Sequence, residues 1–130
     1  MRIQTRTATP TPFYIYDGKV VKRLDPTAGS SFYLMVMLSD RDTGEAITYA
    51  PVYATIKNAG GKVVSHGQLE PTTSAFEGSF YGSDVKLPRA DRYTLTLRID
   101  PPHEARHLEY QHVWLRPHTV VERIHWKPAA

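Results

Sequence analysis

Apolar and polar residues alternate with a period of two along most of this chain. That is the spacing of strands with one buried face, not of amphipathic helices. Phe13-Tyr14-Ile15-Tyr16 meets Asp17-Gly18, and Lys19-Val20-Val21 follows. Asp-Gly between apolar runs is a hairpin signal, because both central residues of the tight turn need positive φ. Phe32–Ser39 is the strongest strand, and Asp40–Gly44 is the turn that ends it. Tyr49–Lys57 alternates with Val52, Ala54 and Ile56 on one face, and Asn58-Ala59-Gly60-Gly61 turns into a strand over Lys62–Leu69. Glu70–Gly78 is expected as a loop before Ser79-Phe80-Tyr81. Arg92–Ile99 alternates cleanly, and Val113–Trp126 is expected to hold one or two strands separated at Pro117-His118. About seven to nine short strands with regular turns predict an all-β, immunoglobulin-like antiparallel sandwich. His103 to about Leu115 is the one stretch with a helical alternative.

Phe32–Ser39 departs from simple alternation. Leu34, Val36 and Leu38 share one face, while Tyr33, Met35 and Met37 share the other. An outer strand with two apolar faces needs a second cover. A loop of the same chain, a ligand or a second subunit would supply it.

At 130 residues the chain is expected to form one domain over 1–130, with 1–11 a flexible or extended N-terminal segment. Hydrophobic residues at 41% and charged residues at 22% are a globular balance. There is no cysteine, so thiolate catalysis, cysteine zinc sites and disulfides are all excluded. That is compatible with a cytosolic as well as an exported setting. No run of about 18 apolar residues is present, so no transmembrane segment is expected. Met1–Pro12 lacks an apolar core, so no signal peptide is expected in it. The net charge is +3, and Lys22-Arg23 is the only adjacent basic pair. A nucleic-acid partner is therefore not expected.

His103-Glu104-Ala105-Arg106-His107 matches H-E-x-x-H. On a helix the two His fall one turn apart and bind zinc, with Glu as general base. A small all-β domain offers neither that helix nor a cleft between lobes, and a polar loop accounts for the residues equally well. Five of the six histidines lie between His103 and His125. Such a cluster can bind copper, nickel, zinc or iron if it converges. No nucleophile elbow or phosphate loop is present, and the chain is expected not to be an enzyme.

Four segments carry a resemblance to a known family. They are Phe32-Tyr33-Leu34-Met35, Asp42–Val52, the stretch from Leu69-Glu70-Pro71-Thr72 to Phe80-Tyr81-Gly82-Ser83-Asp84-Val85, and Tyr93–Ile99. Together the segments resemble the bacterial periplasmic high-affinity iron-transport proteins, over about Phe13 to Trp126. The resemblance implies an immunoglobulin-like homodimer that binds copper or iron near the subunit interface. It also implies a periplasmic location and a membrane transporter as partner. The family's ligands are a His with an acidic residue two positions later, a Met after Pro, a His before Tyr-Gly, and a His near the last strand. These positions read Tyr33, Met35, Thr72, Phe80 and, for the last, His107. The resemblance therefore implies a degenerate site lined by Tyr33, Met35, Thr72, Phe80 and Tyr81, with His107 and Met35 as the surviving metal-ligand candidates. A rearranged copper or iron set drawn from Met35, Met37, His103, His107 and His112 is the alternative. A zinc hydrolase on His103, Glu104 and His107 is the third.

Overall fold

The computed structural model describes residues 1–128. It contains ten strands: β1 (Arg2–Ala8), β2 (Phe13–Tyr16), β3 (Val21–Leu24), β4 (Phe32–Ser39), β5 (Val52–Lys57), β6 (Val63–Gln68), β7 (Glu70–Ser74), β8 (Gly78–Val85), β9 (Asp91–Ile99) and β10 (His118–Trp126). Two four-stranded sheets, ordered β1-β4-β8-β7 and β10-β9-β5-β6, form a sandwich, and β2-β3 is a separate hairpin. Every pairing is antiparallel. The expected all-β sandwich is the observed architecture.

The period-two pattern places the core. β9 buries Tyr93, Leu95, Leu97 and Ile99, and β5 buries Val52, Ala54 and Ile56 opposite them. β4 contributes Phe32, Leu34, Val36 and Leu38 from the other sheet. Removing that apolar surface from water is the main favourable term in folding.

Several local expectations are corrected. The N-terminal segment, expected to be flexible or extended, forms a strand: Arg2–Ala8 pairs with Tyr33–Ser39 of β4. Only Ile3 of its side chains is a large apolar residue, and Ile3 packs against the core. The strand is a polar edge, a type that periodicity detects poorly. Glu70–Ser74, expected as a loop, is edge strand β7, and an edge tolerates Pro71. Val113–Trp126 yields one strand, which begins at His118. The helical alternative over His103 to Leu115 is not taken: there only Leu108–Tyr110 turns, as a single 3₁₀ turn.

Candidate functional site

The alternation of β4 and β8 sends one set of side chains into the core and the other set outward. Tyr33, Met35 and Met37 alternate with the core residues of β4, and Phe80 and Gly82 do the same on β8. The register sets Met35 opposite Gly82 and Thr72 of β7 opposite Phe80. Tyr33, Met35, Thr72 and Phe80 thus meet on the outer face of one sheet. They form the floor of a cleft of about 800 Å³. The β2-β3 hairpin forms its wall with Phe13, Tyr14, Ile15 and Tyr16.

The floor is aromatic. The Tyr33 ring lies 6.3 Å from Phe80 in an edge-on arrangement, and 6.0 Å from Phe13 of the hairpin. The Tyr33 hydroxyl occupies the space that a β-carbon at Gly82 would need. Gly82 is therefore the residue that lets the ring lie down on the sheet. Met35 is only 5% exposed although it lies outside the central core. The second apolar face of β4 is thus partly covered by this chain's own hairpin.

The charged groups near the cleft are already engaged. Arg6 of β1 forms an ion pair with Glu77 at 2.5 Å. The Asp84 carboxylate accepts hydrogen bonds from the Thr27 backbone N–H (3.0 Å) and hydroxyl (3.2 Å). Burial raises the pKa of the Tyr33 phenol above the usual tyrosine value, and the Asp84 charge adds to the shift.

Tyr81 points the other way, into the core. Its hydroxyl accepts from the Ala50 N–H at 2.9 Å and lies within donating distance of the Ile47 and Thr48 carbonyls, at 2.8 and 2.6 Å. It still borders a smaller recess with Thr72 and Phe80. Burial is the main cause of its raised pKa; the Ala50 hydrogen bond lowers it, and the charge of Glu104 raises it.

His107 does not join this group. It is exposed, outside the cleft lining, with Nδ1 3.9 Å from Glu109. His103 and His112 are likewise exposed on the loop before β10. His118 and His125 stand at opposite ends of β10, about 24 Å apart at the usual rise per residue. Among the described residues, no three His, Asp or Glu side chains gather to hold a metal ion. Met35 and Met37 share a face, but only Met35 lines the cleft, and no histidine lines it.

The residues at the positions that the resemblance assigns to metal ligands do not fit copper or iron. Phe80 has no donor atom, Thr72 offers a neutral hydroxyl, and Tyr33 would have to ionise against the burial that raises its pKa. Met35 alone supplies a soft ligand there, and one thioether does not make a site.

The H-E-x-x-H segment has no helix beneath it, so its histidines are not held one turn apart on a shared face. Its ordered residue is Arg106. Arg106 donates to the Trp114 carbonyl at 2.9 Å, and its guanidinium lies 5.8 Å from the centre of the Trp114 ring. Trp114 stacks on Tyr110 at 4.7 Å and donates from Nε1 to Asp40 at 3.2 Å. The segment belongs to a strap that Tyr110 and Trp114 tie to the Asp40–Gly44 turn. Sequence pattern missed this role, because no spacing rule links Arg106, Trp114 and Asp40.

Comparison with known proteins places this geometry. The fold is similar to a copper-bound variant of FetP from uropathogenic Escherichia coli strain F11, with a TM-score of 0.76 and 18% identity, covering 98% of this chain and 89% of that one. It is also similar to a copper-bound variant of Campylobacter jejuni P19, with a TM-score of 0.76 and 16% identity, covering 98% and 90%. Copper-reconstituted P19 from the same organism gives 0.75 and 17%, again covering 98% and 90%. At such identities these likenesses establish the fold alone. No curated protein matches the sequence. A family model described as Fe2+ transport protein matches residues 40–128, well over half of the chain; the chain belongs to the Fe2+ transport protein family.

Proposed function

We propose that this protein is a non-catalytic binding and assembly domain of an iron-transport system, periplasmic and homodimeric, in which aromatic packing has replaced the metal site. The observation that carries this reading is the cleft floor of Tyr33, Met35, Thr72 and Phe80, apolar where metal-binding members need donor atoms. Membership of the iron-transport family supports the setting. One neighbouring structure is of FetP expressed in the periplasm, which supports that compartment. A membrane transporter is the partner in this reading, which rests on membership of the iron-transport family.

The hairpin supports the dimer. An isolated two-stranded hairpin is at best marginally stable in water. This one also exposes Tyr14 (68%), Tyr16 (69%) and Val21 (69%). A second copy packed over hairpin and cleft would bury these groups, as homodimer interfaces bury apolar surface. Light scattering at high micromolar concentration tests this. A mass of twice the chain, falling to one chain in Tyr14→Asp/Tyr16→Asp, is the expected result. A monomeric parent protein would overturn the dimer.

A further inference from the structure

The basic residues are scattered along the sequence, but the fold collects them. β5 ends where β6 and β9 begin, and β8 and β10 end beside them. That end of the sandwich carries Lys57, Lys62, Lys86, Arg89, Arg92 and Arg123, all exposed. Among the described residues, the only ion pair these six make is Arg89 with Asp91 at 3.4 Å. Between the β5-β6 turn and the β8-β9 loop lies an open recess of about 500 Å³. It is lined by Lys62, Lys86 and Arg89 with Asn58 and Tyr93, and by no carboxylate. At the opposite end, the Asp40–Gly44 turn and the strap from His103 to Trp114 bring together Asp40, Asp42, Glu45, Glu104 and Glu109. The same end also carries Arg2, Arg41, Arg106 and Arg116, so its charges largely offset, whereas the basic end keeps a positive excess.

We propose that the basic end docks onto anionic phospholipid headgroups, with the recess taking a phosphate and the flanking cations tracking the surface. A charged surface attracts and orients a molecule that has one basic end. Three observations favour lipid over an acidic protein. Half of the named cations are lysines, point charges that suit a diffuse anionic layer, whereas lysine is depleted at protein interfaces. They sit on separate strand ends and turns, which a fluid surface accommodates without shape matching. The recess offers Val63, Val64 and Pro88 but no exposed aromatic anchor of the kind that dominates protein binding. This proposal is independent of the dimer and of the fate of the metal site.

Vesicle flotation tests it with the full chain. The probes are phosphatidylcholine vesicles with and without about 30% phosphatidylglycerol, at low and high salt. The proposal expects binding only to the anionic vesicles, lost in about 0.5 M salt because the Debye length shrinks to a few ångströms. Lys62→Glu/Lys86→Glu should weaken binding at least about tenfold, since each cation near such a surface contributes about fivefold. Arg41→Glu/Arg116→Glu makes the same charge change at the opposite end and should alter binding less than about twofold. Equal thermal melts would show that both variants are folded. Three results would overturn the proposal: no preference for anionic vesicles, equal losses in the two variants, or binding to polyglutamate that anionic vesicles do not compete away. The last would assign the basic end to an acidic protein.

Discussion

Asp40 is 6% exposed and accepts four hydrogen bonds. They come from the Asp42 and Thr43 N–H groups, the Thr43 hydroxyl and Trp114 Nε1. The Thr43 N–H is the largest cause of its lowered pKa; burial opposes it, and the Asp42 N–H, the Thr43 hydroxyl and Trp114 add to the lowering. A depressed carboxyl contributes stability that is complete above its unfolded value, near 3.9. The contribution is lost as pH falls through the folded value. Thermal melts from pH 6 down to pH 2 should therefore show an acid-side loss that is smaller in Asp40→Asn. Parallel curves for the two proteins would remove Asp40 as the source. The sequence marks Asp40 as a turn residue, because Asp-x-x-x-Gly has recognisable chemistry. It does not mark Trp114 as its partner, since that contact spans 74 positions. Tyr33 and Phe80 are a similar case. Their outward direction follows from alternation, but their edge-on contact needs the register that brings β4 and β8 together.

Among the elements, legibility follows apolar content. β4, β5 and β9 are plain in the sequence because each buries a full face. β1 and β7 are hidden because edge strands carry Arg, Thr and Pro where central strands carry Val and Leu. The strap before β10 misleads in the other direction. Its H-E-x-x-H spacing satisfies a helical motif while its backbone is not helical. Arg106 is the residue that holds it, with its Nε buried and unpartnered beside the engaged Nη2. Arg106→Ala should cost about 1–2 kcal/mol, from a lost charged hydrogen bond and lost cation–π contact. His107→Ala, at an exposed position, should change stability by less than about 0.5 kcal/mol. Urea unfolding of the two variants checks the contrast. A larger loss for His107→Ala would mean that this side chain has a partner the strap geometry does not account for.

For the molecule as a whole, the sandwich presents unlike surfaces. The outer face of β1-β4-β8-β7 is aromatic under the hairpin, and one set of strand ends gathers a positive excess. The +3 net charge says little of this, because it averages over the segregation. The resemblance in sequence correctly leads to the family. Which donor positions meet in space depends instead on the fold, and His107 lies outside the cleft where Tyr33, Met35, Thr72 and Phe80 meet. The central claim is that this family scaffold no longer holds a metal in that cleft. Calorimetric titration of chelator-stripped protein with Cu(II) and Cu(I), beside a His107→Ala control, tests it most directly. The account predicts only weak binding that a competing chelator removes and that the control leaves unchanged. Binding of one copper per chain that survives the chelator and disappears in His107→Ala would contradict it.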